Sequence, residues 1–265
     1  MKAAELAVLA LLGYLHPFPR LFPLGLGLYI LLGLVGLVAA FLVLFIIITL
    51  CERQYLSGDI EPASEPYPYP PSPYWQVTRE DALRLGLRHG GEFATKKGTS
   101  LVKGLGSFFI TQDGLVIAAI SSSSSMIGKL KKAVLRSKLT SGRILESSDS
   151  PGIEDFSGVV ERAILLNAGV AELLEFHLER VQGAGSAPLP FNPDAVLAQY
   201  EQMDLEKGAR WVLMGLARWV DPQQTSIRMT FRGSLAHVKY LFRQTRKLEA
   251  QRERSHIRRA GSRQR

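Results

Sequence analysis

The pattern of apolar and polar positions divides the chain into three unlike parts. Before residue 52 the ionised side chains are Lys2, Glu5 and Arg20, and residues 21–50 carry no charge. A helix that crosses the hydrocarbon core of a bilayer needs about 20 consecutive apolar residues. Residues 26–50 satisfy this length, so the pattern predicts an N-terminal transmembrane helix and a membrane anchor over residues 1–50.

A shorter apolar run over residues 3–15 leaves three interpretations open. It is a first span that turns through His16 and Arg20 into the second span, an interfacial stub ahead of a single span, or a cleaved signal peptide. The distribution of Lys and Arg favours the outside for the following domain if there is one span, and the cytoplasmic side if there are two. We favour the two-helix hairpin and a cytoplasmic domain.

Residues 51–74 are rich in proline, with six prolines between residues 61 and 74. This composition is typical of an extended polyproline II spacer, so we interpret the segment as a linker. Cys51, at the start of the linker, is the only cysteine. A single cysteine excludes an intrachain disulfide and a site with several cysteine ligands.

Periodic patterns over residues 75–242 predict an α+β domain. Asp113–Gly114 lies between the apolar runs 107–111 and 115–120, which indicates a β-hairpin. Another turn is expected at residues 140–142, and the alternation over residues 226–233 predicts a half-buried strand. Helices are expected after an N-cap at Thr78, over residues 170–181, and from an N-cap at Asn192 to about residue 221 with a break near residue 208. The expected fold class is an antiparallel sheet with packed helices.

The stretch LVIAAISSSSSMIGKLKKAVLRSKL (residues 115–139) has three interpretations. A phosphate-binding P-loop is disfavoured because Ser123 replaces the first glycine and Leu130 occupies the position of the magnesium ligand. A basic amphipathic helix is compatible with the spacing of the apolar residues, but residues 134–139 fit a strand equally well. We expect two strands joined by a serine loop.

Four segments, QDGLVIAAI, LRSKLTSGRILESSD, LNAGVAELLEFHLERV and GLARWVDPQQTSIRMTFRGSL, occur in this order. Their order resembles that of an uncharacterised bacterial family of membrane-anchored proteins over about residues 74–240. The resemblance implies a strand at residues 134–139 and no particular chemistry. We expect the anchor to lie in the bacterial inner membrane. The serine run and the long basic tail depart from the pattern of the family.

Acidic residues cluster in the segment 146–155, namely Glu146, Asp149, Glu154 and Asp155. Carboxylates can act as general bases or as oxygen ligands, so a hydrolase that uses this loop is the alternative function. Their spacing does not match an EF-hand. The five histidines lack the spacing of known metal motifs, and no nucleophile motif occurs. We therefore predict no catalytic residue, cofactor or metal.

The C-terminal tail, residues 243–265, concentrates the positive charge. From residue 241 to the end there are nine basic and two acidic residues, a net charge of +7 within an overall +8. Anionic lipid headgroups are the expected partner. Nucleic acid is less favoured, because no aromatic residue for base stacking follows Phe242. The residues expected to contact an anionic partner are Arg243, Arg246, Lys247, Arg252, Arg254, Arg258 and Arg259.

These observations together predict a membrane-anchored binding or scaffolding module at the membrane face rather than an enzyme. The predicted organisation is an anchor (1–50), a proline-rich linker (51–74), an α+β domain (75–242) and a basic tail (243–265).

Overall fold

The computed structural model describes residues 22–51, 53–56, 59–96, 103–125, 128–150, 155 and 157–240. The chain divides into two compact units, Met1–Thr49 and Leu50–Arg265. Helix α1 (Phe22–Cys51) accounts for the described part of the first unit. All other described elements belong to the second unit, which contains the sheets.

Helix α1 is an uncharged helix of 30 residues in which Leu32 and Leu37 are exposed. Among the helices in the described ranges, none is long and apolar enough to traverse a bilayer. The predicted transmembrane helix over residues 26–50 is therefore corrected to a helix without an identified span. The predicted inner-membrane localisation is corrected with it, and the first run, residues 3–15, lies outside the described residues.

The second unit contains ten described strands in two sheets. They are β1 (Arg53–Tyr55), β2 (Ile60–Ala63), β3 (Arg88–Thr95), β4 (Lys103–Ile110), β5 (Ile117–Ser125), β6 (Gly128–Lys138), β7 (Ile144–Ser148), β8 (Val160–Ile164), β9 (Ala217–Trp219) and β10 (Ser226–Met229). Strands β2 to β8 form a seven-stranded sheet in sequence order. Its pairs are antiparallel except β7–β8, which is parallel. Strands β1, β10 and β9 form a small antiparallel sheet.

The predicted hairpin around Asp113–Gly114 is confirmed as the β4–β5 connection. Its closing pair is Ile110 opposite Ile117, and Gly114 adopts a φ of 72°, which glycine tolerates without a steric penalty. The predicted turn at residues 140–142 is also confirmed between β6 and β7.

The interpretation of the serine run as a loop is wrong. The run belongs to β5, and its pairing with β6 continues from Ser121 opposite Lys132 to Ser125 opposite Gly128. The ladder joins backbone groups, so it continues through polar side chains where the neighbouring strand is in register. The predicted strand at residues 134–139 is confirmed as the second half of β6, except for residue 139.

Helices of the second unit are α2 (Pro73–Arg84), α3 (Val170–Gln182), α4 (Val196–Leu213) and α5 (residues 231–240). Helix α3 confirms the prediction for residues 170–181. The N-cap of α2 is Ser72, whose Oγ accepts a hydrogen bond from the Trp75 amide at 3.2 Å. The predicted N-cap, Thr78, lies inside α2 and donates to the Tyr74 carbonyl instead.

The predicted long helix beyond Asn192 is shorter than expected. Asn192 caps a 3₁₀ turn (Pro193–Ala195) that precedes α4. Helix α4 ends at Leu213, and residues Ala217–Trp219 form β9. No break occurs at Gly208, where a Cβ would collide with the Leu56 side chain. The strand expected over residues 226–233 ends at Met229.

The seven-stranded sheet carries helices on both faces. One face, here called the α2–α3 face, packs Ala118, Ile120 and Leu135 against α2 and α3. The other, here called the α4 face, packs residues such as Phe108 and Ile117 against α4. The small sheet forms a third cluster around Trp211, at the end of α4.

Candidate binding site

The α4 face contains an ionic network centred on Glu146, which lies on β7. Arg136 on β6 donates from Nε to Glu146 Oε2 at 2.9 Å, and Arg162 on β8 donates to Oε1. These three side chains share a face because Arg136 lies opposite Glu146, and Glu146 lies beside Arg162. Burial raises the pKa of Glu146, but the two guanidinium groups outweigh it and hold this pKa at about 2.

Helix α4 supplies the second carboxylate of the network, Asp204. Its Oδ1 is 3.2 Å from Arg136 Nη2 and 2.9 Å from Lys207 Nζ. Both contacts reach the same oxygen, so Oδ2 retains the capacity to accept a hydrogen bond. Burial raises the pKa of Asp204, whereas Arg136 and Lys207 lower it by more, so the carboxylate is ionised.

Tyr200 lies one turn before Asp204 on α4. The guanidinium carbon of Arg136 is 4.1 Å from the centre of the Tyr200 ring, within the range of a cation–π contact. Burial is the main cause of the raised pKa of Tyr200, so the hydroxyl is protonated at neutral pH. This hydroxyl makes no hydrogen bond with any residue in the described ranges.

Lys132 is the cation that the network does not pair. It lies on β6 two residues before Val134 and is half-buried on the α4 face. Its ammonium forms neither a hydrogen bond nor a direct ion pair with any described residue. Burial lowers the pKa of Lys132, and the longer-range attraction of Glu146 opposes this only in part.

A cavity of about 220 Å³ opens beside these groups. Its polar lining includes Lys132, Tyr200 and Asp204, and its apolar lining includes Phe93 and Val134. The complete lining is Leu56, Asp59, Ile60, Phe93, Ala119, Ser121, Lys132, Val134, Tyr200, Glu201 and Asp204. The lining therefore combines an apolar wall with convergent polar groups, and such polar groups are what orients a ligand in a small-molecule site.

The structure disperses the acids of the predicted catalytic loop. Glu146 is locked between two arginines, and Asp149 accepts hydrogen bonds from the Ala133 amide and the Tyr74 hydroxyl. Asp155 accepts from Ser157, from the Val160 amide and from Trp211 Nε1. Glu154 lies outside the described residues. Each described acid therefore has a structural role.

His177 occupies the opposite, α2–α3 face and is completely buried. Its Nε2 is 3.0 Å from Ser137 Oγ, and its Nδ1 is 2.9 Å from Ser147 Oγ. Because Ser137 donates its own proton to the Leu115 carbonyl, it accepts from Nε2–H, and Nδ1 accepts from Ser147. Burial and the charge of Arg180 lower the pKa of His177 to about 3, so this histidine is a neutral core residue.

Two other sequence predictions concern metals and the tail. Among the residues that the structure describes, no group of three or more His, Cys, Asp or Glu side chains is arranged to hold a metal ion. The tail residues Arg243, Arg246, Lys247, Arg252, Arg254, Arg258 and Arg259 lie outside the described ranges. Their role in binding remains a prediction.

Sequence reasoning missed the Lys132 cavity because it placed the strand at residues 134–139, whereas β6 begins at Gly128 and includes Lys132. The available signal was the strand alternation: Lys132, Val134 and Arg136 point to one face, whereas Ala133 and Leu135 point to the other. Charges on the inner face of a strand with apolar neighbours indicate a buried ionic cluster.

Comparison with known proteins adds neither a family nor a function to this geometry. The chain matches no family model, no curated protein and no solved structure.

Proposed function

We propose that this chain is a binding module, and that its cavity receives the anionic group of a small ligand at Lys132. The observation that carries the proposal is the difference between Lys132 and its neighbours. Arg136, Arg162 and Lys207 each contact a carboxylate, whereas the ammonium of Lys132 has no such contact among the described residues.

A desolvated ammonium without a partner is energetically costly, because burial removes the water that would otherwise stabilise its charge. An anion in the cavity would restore a charge-assisted hydrogen bond, which is about twice as strong as a neutral one. Tyr200, which lines the same cavity, offers its hydroxyl as a second donor. The apolar wall formed by residues such as Phe93 and Val134 favours a ligand with an apolar body.

The alternative function, a hydrolase that uses residues 146–155, is the weaker candidate. A general base works best when its pKa is near the operating pH, whereas the pKa of Glu146 is about 2. Asp149 and Asp155 are occupied by structural hydrogen bonds. These contacts leave little capacity for proton transfer.

The experiment that tests the cavity is calorimetric titration of the full chain with isovalerate, a carboxylate on a branched apolar body. Lys132→Met should weaken binding at least about tenfold, the effect of losing about 1.4 kcal/mol of interaction. Lys131→Met is the matched control, because Lys131 is the exposed next residue and contacts the ring of Tyr74 instead. Equal affinity of Lys132→Met and the unsubstituted chain would refute the proposal.

The basic tail supplies a second proposed contact, with anionic lipid headgroups. The support is its net charge of +7, since each basic residue near an anionic surface contributes about 1 kcal/mol. The test measures binding to vesicles with and without phosphatidylserine, for the full chain and for a chain that ends at Phe242. Only the full chain should prefer the anionic vesicles, and this preference should fall as salt is raised. An unchanged preference after truncation would exclude the tail, and competition by a single-stranded oligonucleotide would favour nucleic acid instead.

A further inference from the structure

The cavity beside Lys132 presents hydrogen-bonding groups of both charges. Lys132 contributes an ammonium, and Asp204 contributes a carboxylate whose Oδ2 is not used by Arg136 or Lys207. Tyr200 adds a hydroxyl with no hydrogen bond among the described residues. The two charges are close enough for Asp204 to affect the protonation of Lys132.

A purely anionic ligand would use only one of these charges. The lining contains three carboxylates, from Asp59, Glu201 and Asp204, against the single ammonium of Lys132. An anion bound at Lys132 would leave Asp204 Oδ2 without a hydrogen-bond donor. A ligand with a positive and a negative group a few bonds apart would instead match both.

The lining also contains apolar residues, and the volume of the cavity limits the size of the ligand. Leu56, Ile60, Phe93, Ala119 and Val134 line the cavity beside the charged groups. At about 220 Å³ the cavity is smaller than the about 300–1,000 Å³ typical of drug-sized ligands. The ligand is therefore compact, with a short apolar group next to its charges.

We infer that the cavity binds a free α-amino acid with an apolar side chain. The α-carboxylate pairs with Lys132 and accepts a hydrogen bond from the Tyr200 hydroxyl, and the α-ammonium donates a hydrogen bond to Asp204 Oδ2. The apolar side chain packs against residues such as Ile60 and Phe93. This inference rests on the proposed function, because it specifies the ligand class of the same cavity.

The test is calorimetric titration of the full chain with three matched probes. L-leucine carries both charges, isovalerate lacks the α-carbon together with its amino group, and isoamylamine lacks the carboxylate. Leucine should bind at least about tenfold more tightly than either single-charge probe, because each lacks one charge-assisted hydrogen bond. Glycine, which has no apolar side chain, should bind more weakly than leucine.

Variants assign each charge to its partner. Lys132→Met should remove the advantage of leucine over isoamylamine, and Asp204→Asn should remove its advantage over isovalerate. Asp204 also holds Arg136 and Lys207. If Asp204→Asn does not fold, Tyr200→Phe is the second variant, since it removes only a hydroxyl. Tyr200→Phe should weaken the binding of leucine and isovalerate, but not that of isoamylamine.

The outcomes separate this inference from the proposed function. If isovalerate binds as tightly as leucine, the amino-acid inference fails and the anion-binding function stands. If isoamylamine binds most tightly, or none of the probes binds, both fail.

Discussion

The two faces of the seven-stranded sheet bury polar groups in different ways. On the α2–α3 face, the ring nitrogens of His177 are both hydrogen-bonded, to Ser137 and to Ser147. On the α4 face, Glu146 and its arginine partners form an ionic network that borders a cavity, and the ammonium of Lys132 is left without a described partner.

This difference distinguishes a structural cluster from a candidate binding site. Every polar atom of the His177 ring is satisfied, and the ring is fully buried, so a ligand has nothing to contact. Lys132 and Tyr200, in contrast, retain unused donors next to a cavity. The contact between Ser137 and His177 resembles a serine–histidine catalytic pair. Unused hydrogen-bonding capacity beside a cavity is nevertheless the better indicator of a functional site.

The largest expected effect comes from breaking the network of the α4 face with Glu146→Gln. This change keeps the size of the side chain but leaves the charges of Arg136 and Arg162 without their shared carboxylate. Removing one partner of a buried ion pair costs about 3–5 kcal/mol. Denaturant unfolding should show a decrease of this size in the free energy of unfolding.

Glu161→Gln is the control for this prediction. Glu161 pairs with Arg143 and Arg180, but about half of its side chain (53%) is exposed. Exposed ion pairs contribute about 1 kcal/mol or less. Equal losses of unfolding free energy in the two variants would show that the buried network of the α4 face contributes no more than an exposed ion pair.

A smaller effect is expected on the α2–α3 face when the pH is lowered. The pKa of His177 is about 3 in the folded chain, mainly because of burial, against an ordinary value of 6.5. As the pH falls below 6.5, the unfolded chain gains a proton that the folded chain does not bind. The folded state should lose about 1.4 kcal/mol per pH unit until the pH nears 3, or about 2 kcal/mol at pH 5.

The measurement is the free energy of unfolding between pH 7 and pH 5, for the unsubstituted chain and for His177→Gln. The amide of glutamine does not titrate and still has hydrogen bonds to offer the two serines. Burial also lowers the pKa values of His89 and His237, so only the difference between the two slopes reports on His177. Parallel slopes would mean that His177 binds its proton as readily in the folded state as in the unfolded state.

The smallest effect is expected from Lys132→Met without ligand. This variant removes a partly desolvated ammonium and keeps an unbranched side chain, so the free energy of unfolding should rise by about 1 kcal/mol. Lys131→Met should change stability by less than about 0.5 kcal/mol, as surface substitutions usually do. A clear loss of stability in Lys132→Met would indicate that the lysine has a structural role.

Local signals predicted those parts of the fold that depend on neighbouring residues. The hairpin at Asp113–Gly114 and helix α3 follow from turn chemistry and helical periodicity. Helix α2 was predicted to begin too late, because Pro73 continues a run of prolines. Its role at the first turn of a helix depends on Ser72 as the cap.

The candidate site escaped prediction because it depends on strand register. Glu146 lies 10 residues from Arg136 and 16 residues from Arg162, and only the pairing of three strands places them on one face. Asp204 comes from a helix still further along the chain. The same carboxylate that looked like a loop acid is thus a buried counter-ion.

The small sheet has a consequence for the order of folding. Neighbours in the seven-stranded sheet are consecutive in the chain, so they close short loops and form quickly. Strand β1 instead pairs with β10, and Arg53 lies 173 residues from its hydrogen-bond partner Ser226. Closing so long a loop costs more entropy, so this pairing should come last. Leu56, which follows β1, lines the cavity; its wall is therefore complete only after the two ends of the domain have met.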